Sequence, residues 1–240
     1  MRNYFLIPTF LIVLNASVAQ QNRNPLDGID LRMVKMHYDW AKLARYDQKN
    51  KEVVIDQNKD RVVFMGNSIT EGWKNKMPDM FDNQTFINRG ISGQTSPQML
   101  VRFRSDVIEL KPNVVVILAG TNDIAGNTPL KDLETVTGNL ASMAELARHH
   151  KIKVILCSVL PASNYPWRPK KNPHTQIPIL NQLIKDYAEK EGFYYLDYFS
   201  SMADGKNGLK ENYGNDGVHP NITGYRVMQK MVLKAIDKIL

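Results

Sequence analysis

The sequence predicts an α/β fold with a mainly parallel sheet, on three observations. Continuous apolar runs at 62–65, 114–119 and 154–160, rich in β-branched residues, have the character of strands buried on both faces. Stretches of helical length and polarity alternate with these runs, the pattern that requires crossover connections and parallel pairing. Each run also stops abruptly at a small polar residue or a proline: Gly66-Asn67-Ser68, Gly120-Thr121-Asn122 and Pro161. In sheets of this kind ligands sit beyond the carboxyl ends of the strands. Residues that closely follow a strand are therefore expected along one edge.

Taken in order, residues 1–19 read as a leader. Arg2 supplies a basic start, 5–14 is mostly apolar, and Asn15-Ala16-Ser17-Val18-Ala19 ends in small residues suited to cleavage after Ala19. The apolar run is shorter than the ~20 residues of a membrane span, and no cysteine follows it to take a lipid. The expected product is exported, periplasmic or extracellular, with 20–240 as a single domain. Residues 20–29 form a polar lead-in. Apolar groups at helical spacing (Met33, Met36, Trp40, Leu43) predict an amphipathic helix over 30–48, with Trp40 on its packing stripe. A short strand follows at 85–88. Ser96-Pro97, an N-cap and first-turn pair, opens a helix to about 110. Thr128-Pro129 opens another to 149 or 150. A loop over 162–173 leads to a helix at 176–191 capped by Gly192. A short strand at 193–196, an irregular segment over 197–220 and a closing helix at 222–239 complete the chain.

Composition narrows the function. The chain has 240 residues, 43% hydrophobic and 23% charged, enough for a full core. Its formal charge of +7 is spread among acidic residues with no basic tract or aromatic-basic interleaving, which argues against a nucleic-acid partner. The single cysteine, Cys157, lies inside an apolar run and reads as a buried thiol.

Two stretches carry chemistry. Met65-Gly66-Asn67-Ser68-Ile69-Thr70-Glu71 is a strand passing through a tight turn into a helix, with Ser68 at the helix entrance. Locally the same residues fit a capping box, Ser68 as N-cap and Glu71 at N3. Asp216-Gly217-Val218-His219 places an acid and an imidazole three positions apart, the partners a serine nucleophile needs. On its own that segment also reads as a turn before a helix. Gly93 reads alone as a turn glycine and Asn122 as an Asx turn at a strand end.

Together these segments resemble the SGNH hydrolases, or GDSL esterase/lipase family. The matching blocks are Gly66-Asn67-Ser68-Ile69, Asn88-Arg89-Gly90-Ile91-Ser92-Gly93, Gly120-Thr121-Asn122-Asp123 and Asp216-Gly217-Val218-His219, in that order over about 60–235. The resemblance implies a three-layer α/β/α sandwich with a flavodoxin-like, five-stranded sheet. It also implies a division of labour: Ser68 the nucleophile, His219 its base and Asp216 the orienting acid. The backbone N–H groups of Ser68 and Gly93, with the Asn122 amide, would form the oxyanion hole. No metal or cofactor is implied. Asn67 stands where the family usually has Asp, a substitution expected to change local hydrogen bonding or pH response. The α/β-hydrolase elbow G-x-S-x-G is not met, because Thr70 replaces its second glycine.

The remaining histidines point elsewhere. His149-His150 suits a helix C-terminus, His37 lies at the edge of a packing stripe and His174 reads as surface loop. In the aromatic-basic loop, Trp167 and Arg168 are candidates for substrate binding, an aromatic face being useful against a sugar ring; the alternative is ordinary packing with solvated cations. The leader and the resemblance lead to a secreted serine esterase removing short acyl groups, acetyl above all, from carbohydrates. A lysophospholipase or thioesterase is the alternative within the family. From another class, the alternative is a non-catalytic carbohydrate-binding protein on the same scaffold.

Overall fold

The computed structural model describes residues 38–56, 58–82 and 85–240. The chain divides into two compact units between Tyr38 and Asp39, and the second contains all the elements below. The expected leader, the lead-in at 20–29, His37 and the start of the helix expected at 30–48 lie outside the described residues.

Five strands form one sheet: β1 (Val62–Gly66), β2 (Phe86–Gly90), β3 (Val114–Leu118), β4 (Lys153–Cys157) and β5 (Tyr194–Leu196). Their order is β2-β1-β3-β4-β5 and every pairing is parallel, the flavodoxin-like arrangement. The helices are α1 (Asp47–Lys51), α2 (Ser68–Lys76), α3 (Ser96–Asp106), α4 (Thr121–Ala125), α5 (Leu133–His149), α6 (Pro173–Glu191), α7 (Tyr198–Met202) and α8 (Ile222–Ile239).

Strand alternation explains the three layers. Met65, Ile117 and Leu156 share one register row and face the core formed with Phe103 of α3, Leu140 of α5 and Leu180 of α6. Their neighbours Phe64, Val116 and Ile155 face the opposite core, against Trp73 of α2 and Met228 and Val232 of α8. Both faces are covered, so the central strands β1 and β3 are apolar throughout rather than alternating. Burying each such side chain contributes at most about 1.5–3 kcal/mol. Cys157 is buried within this sheet, and burial pushes its thiol up, out of nucleophile range.

Several boundaries differ from the sequence reading, each for a local reason. Within 38–48 no continuous helix forms. Asp39 accepts from the N–H groups of Leu43 (2.6 Å) and Ala44 (3.3 Å), and Lys42 takes a left-handed φ of 54°, so a 3₁₀ turn at Leu43–Arg45 precedes α1. Trp40, expected on a packing stripe, is 45% exposed. The cap of α3 is Thr95, not Ser96, whose hydroxyl is engaged by Asp123; the helix ends at Asp106, before a separate turn at Ile108–Leu110. The helix expected from Thr128 opens only at Leu133, where Asp132 accepts from Thr135 N (2.7 Å). Ser158 N still donates to Leu196 O of β5 (2.9 Å), but the buried run leaves the ladder at Val159, because the Asn181 amide takes both its N–H and its carbonyl (2.7 and 3.0 Å). His149 ends α5 as expected, whereas His174 lies in the first turn of α6 rather than in a loop.

Candidate active site

The β1–α2 turn puts a hydroxyl at the carboxyl edge of the sheet. Asn67 is the N-cap of α2, its Oδ1 accepting from Ile69 N (3.0 Å). The capping-box alternative for Ser68 is therefore not formed. Glu71, its would-be partner, instead accepts from Ser92 N (2.9 Å) and the Ser92 hydroxyl, and pairs with Arg45 at 3.0 Å. Burial alone would raise the Glu71 carboxyl, but these bonds hold it below its ordinary value. Asn67 is 1% exposed, so the neutral amide caps the helix without burying a charge. Ser68 Oγ is left to meet His219 Nε2 at 2.9 Å.

The imidazole is held by a four-residue loop. Asp216 Oδ1 accepts from the backbone N–H of Val218 (3.0 Å) and of His219 (2.7 Å), while Oδ2 lies 2.7 Å from His219 Nδ1. Burial works against ionisation of Asp216, yet these hydrogen bonds outweigh it and its carboxyl sits below the ordinary range. A carboxylate facing Nδ1 requires the proton there, which leaves the Nε2 lone pair toward Ser68. Beyond the loop, Asn221 caps α8, its Oδ1 accepting from Gly224 N (3.0 Å). The Tyr225 hydroxyl donates to Ile69 O at 2.7 Å, and its ring stacks on Trp73 at 5.5 Å. The segment bearing His219 is thus tied to the helix bearing Ser68.

The strand register brings two further positions to the same edge. Gly66 pairs with Gly90 on one side and Leu118 on the other, and parallel strands lie about 4.8 Å apart. Ser68, Gly93 and Asn122 follow those three residues within a few positions. Close approach requires glycine at 90, where a Cβ would lie 2.2 Å from Glu71 N and 2.8 Å from Asn67 O. Gly93 has φ +82°, and its carbonyl accepts from Asn127 Nδ2 at 3.0 Å. Asn122 is 4% exposed and donates one amide hydrogen to the Gln94 carbonyl (2.9 Å), which leaves its second amide hydrogen for another acceptor. Next to it, burial raises the Asp123 carboxyl, which accepts from Ser96 N (2.9 Å) and Oγ (2.6 Å).

Ring contacts tie Trp167 to this group, and no side-chain contact ties Arg168 to it. The Trp167 ring lies 6.0 Å from the His219 ring and stacks at 5.2 Å on Tyr165, which is fully buried. Arg168 is exposed, and its guanidinium has no hydrogen-bond or ion-pair partner among the described residues. Sequence reasoning missed the buried polar groups behind the site. Arg102, Asp106 and Gln94 belong to no motif in the sequence; only folding shows that they are buried and that Arg102 pairs with Asp106. Among the described residues no group of three His, Cys, Asp or Glu side chains is placed to hold a metal, and no helix is long and apolar enough to cross a membrane.

The hydrogen-bonded Ser68-His219-Asp216 row has the geometry of an acyl-transfer nucleophile, base and orienter. The chain is also similar to several known proteins. A GDSL-like lipase of Bacteroides thetaiotaomicron has a solved structure 46% identical to this chain, with a TM-score of 0.81, over 84% of this chain and 100% of that one. An acetylxylan esterase of Xylanibacter ruminicola is 28% identical over 213 residues, 73% of this chain and 43% of that protein. The uncharacterised lipoprotein YqeF of Bacillus subtilis is 38% identical over 132 residues, 54% of this chain and 46% of that protein. The chain thus spans less than half the length of these two curated relatives. The GDSL-like Lipase/Acylhydrolase family pattern matches residues 64–227, most of the described fold, and the chain belongs to that family.

Proposed function

We propose that this chain is a serine esterase that removes short acyl groups, acetyl in the first instance, from carbohydrates. The observation that carries the reading is the continuous row from Ser68 Oγ through the His219 ring to Asp216, at 2.9 and 2.7 Å. Ser68 Oγ attacks the ester carbonyl while His219 Nε2 takes its proton, and Asp216 stabilises the imidazolium through Nδ1. The carbonyl oxygen, now negative, is met by the N–H groups of Ser68 and Gly93 and by the free hydrogen of the Asn122 amide. These are neutral donors fixed before the reaction begins. His219 then protonates the departing alcohol, and the same base activates the water that releases the acid and restores Ser68.

Support for the substrate class is separate. Trp167, beside His219 and 38% exposed, offers an aromatic face where a sugar would lie. Arg168, on the same loop, is the second proposed contact. The relative from Xylanibacter ruminicola bears the name acetylxylan esterase. Residues 1–19 have the composition of an export leader, which suits a polysaccharide substrate outside the cytoplasm.

The test is p-nitrophenyl acetate hydrolysis by the wild type, Ser68→Ala and His219→Ala. In another serine hydrolase such losses cost ~10⁶ in turnover, so both variants are expected at background. Equal rates in all three would leave the binding-protein alternative. A series of p-nitrophenyl esters of rising chain length tests the acyl group: activity that climbs toward long chains would instead point to a lysophospholipase.

A further inference from the structure

We infer that Arg102 is a positioning residue for the oxyanion-stabilising amide, acting through Gln94 on Asn122; this rests on the reading of Asn122 as an oxyanion donor. Arg102 is fully buried in α3. Its Nε donates to Gln94 Oε1 (2.5 Å), Nη1 to Asp106 Oδ2 (2.8 Å) and Nη2 to the Gly66 carbonyl (3.1 Å). Gln94, 1% exposed, is fixed at its other end by donation to the Ala41 carbonyl (2.7 Å). The carbonyl of that same Gln94 accepts the Asn122 amide at 2.9 Å. One planar guanidinium therefore links the end of β1, two residues before Ser68, to the residue that follows Gly93 and holds Asn122.

Stability alone gives a poor reason for this arrangement. A buried ion pair often does no better than packed apolar groups of the same volume, because desolvation offsets its attraction. Asp106 is itself held by Asn50 Nδ2 (2.8 Å), and Asn50 Oδ1 by Arg89 Nε (2.8 Å), so the charge is embedded in a satisfied network. What a guanidinium supplies that an apolar side chain cannot is direction: several donors in one rigid plane, aimed at separate acceptors. A lysine keeps the charge and loses the fork. A displacement of about 1 Å at a reacting centre can cost ~10²-fold in rate, so the fork has kinetic value even where it adds no stability.

The experiment compares Arg102→Lys and Gln94→Ala, each alone and combined with Asn122→Ala, below their measured melting temperatures. The readouts are p-nitrophenyl acetate kinetics and affinity for a boronic acid that forms a tetrahedral adduct with serine. Arg102→Lys is expected to lower kcat roughly 10-fold to 100-fold with KM within about threefold, and to weaken the boronic acid in proportion. In the Asn122→Ala background the same substitution should cost less than about threefold, since the group it positions is gone. Gln94→Ala should follow the same pattern, and carries the test if Arg102→Lys does not fold. A lower melting temperature with kcat unchanged would overturn the inference, and so would an equal loss of rate with and without Asn122. Activity surviving in Ser68→Ala would instead remove the esterase reading itself, a separate failure.

Discussion

Asn122 and Gln94 are 4% and 1% exposed and sit among buried hydrogen bonds, whereas the side chains of His219 and Asp216 are 36% and 46% exposed and held largely within one loop. The first pair belongs to the frame of the sheet: Asn122 follows β3, and its partner Gln94 follows β2. The second pair lies in an irregular segment whose order comes from Asp216 accepting two backbone N–H groups and meeting the ring of His219. The proposed chemistry asks for this difference. Oxyanion donors work by not moving when charge develops. A base must face a hydroxyl, then a leaving alcohol, then a water, and access to solvent serves it.

That contrast can be broken from either side. Asp216→Asn attacks the exposed half. Removing the negative charge opposite Nδ1 disturbs the tautomer and the imidazolium, and kcat should fall by ~10⁴ with little change in melting temperature. Steady-state kinetics beside a thermal melt would check both. Asn122→Ala attacks the buried half and should cost ~10²–10³ in kcat. It should also lower stability by about 1–3 kcal/mol, because the Gln94 carbonyl loses its partner, as denaturant unfolding would show. If Asp216→Asn were the more destabilising of the two, the distinction between frame and loop would fail.

Smaller effects sharpen the same picture. Trp167→Ala should raise KM several-fold on an acetylated oligosaccharide while leaving p-nitrophenyl acetate nearly unaffected, since a sugar contact of about 1 kcal/mol is roughly fivefold in affinity. An unchanged KM on the sugar would remove Trp167 from the binding surface. Glu71→Gln tests the tie between α2 and the loop bearing Gly93. The Glu71 carboxyl is held below its ordinary value of 4.5 in the fold, so the ionised form is the stabilised one. Its contribution is complete above that pH and disappears as pH falls through the lower folded value. The gap in melting temperature between wild type and Glu71→Gln should therefore be steady near neutrality and close in acid.

Much of this was legible in the residues themselves. The apolar runs predicted the strands because a sheet covered on both faces leaves no polar position to interrupt them. The closing helix expected at 222–239 has those limits in the fold, Ile222–Ile239, where Tyr225, Met228, Val232 and Ile236 are buried at helical spacing. Ser68, Gly93, Asn122, Asp216 and His219 each fit an ordinary turn or cap when read alone, and only their four blocks in order, through the resemblance to the SGNH hydrolases, single them out. Boundaries went astray where a distant side chain intervened: Asn181 drew Val159 out of the ladder, and Asp123 engaged the hydroxyl expected to cap α3.

Sequence by itself determined the parallel α/β class, its buried strands and the residues that follow them at one sheet edge, because hydrophobic periodicity and turn chemistry act over a few residues at a time. Only the tertiary structure decided that Ser68 faces His219 across 151 positions rather than capping its own helix, and that Trp167 stands beside the imidazole. It alone decided that Arg102 is buried against Gln94 and Gly66 and paired with Asp106. A charged side chain carries no local mark of its burial; that depends on which strands and loops the completed fold brings around it.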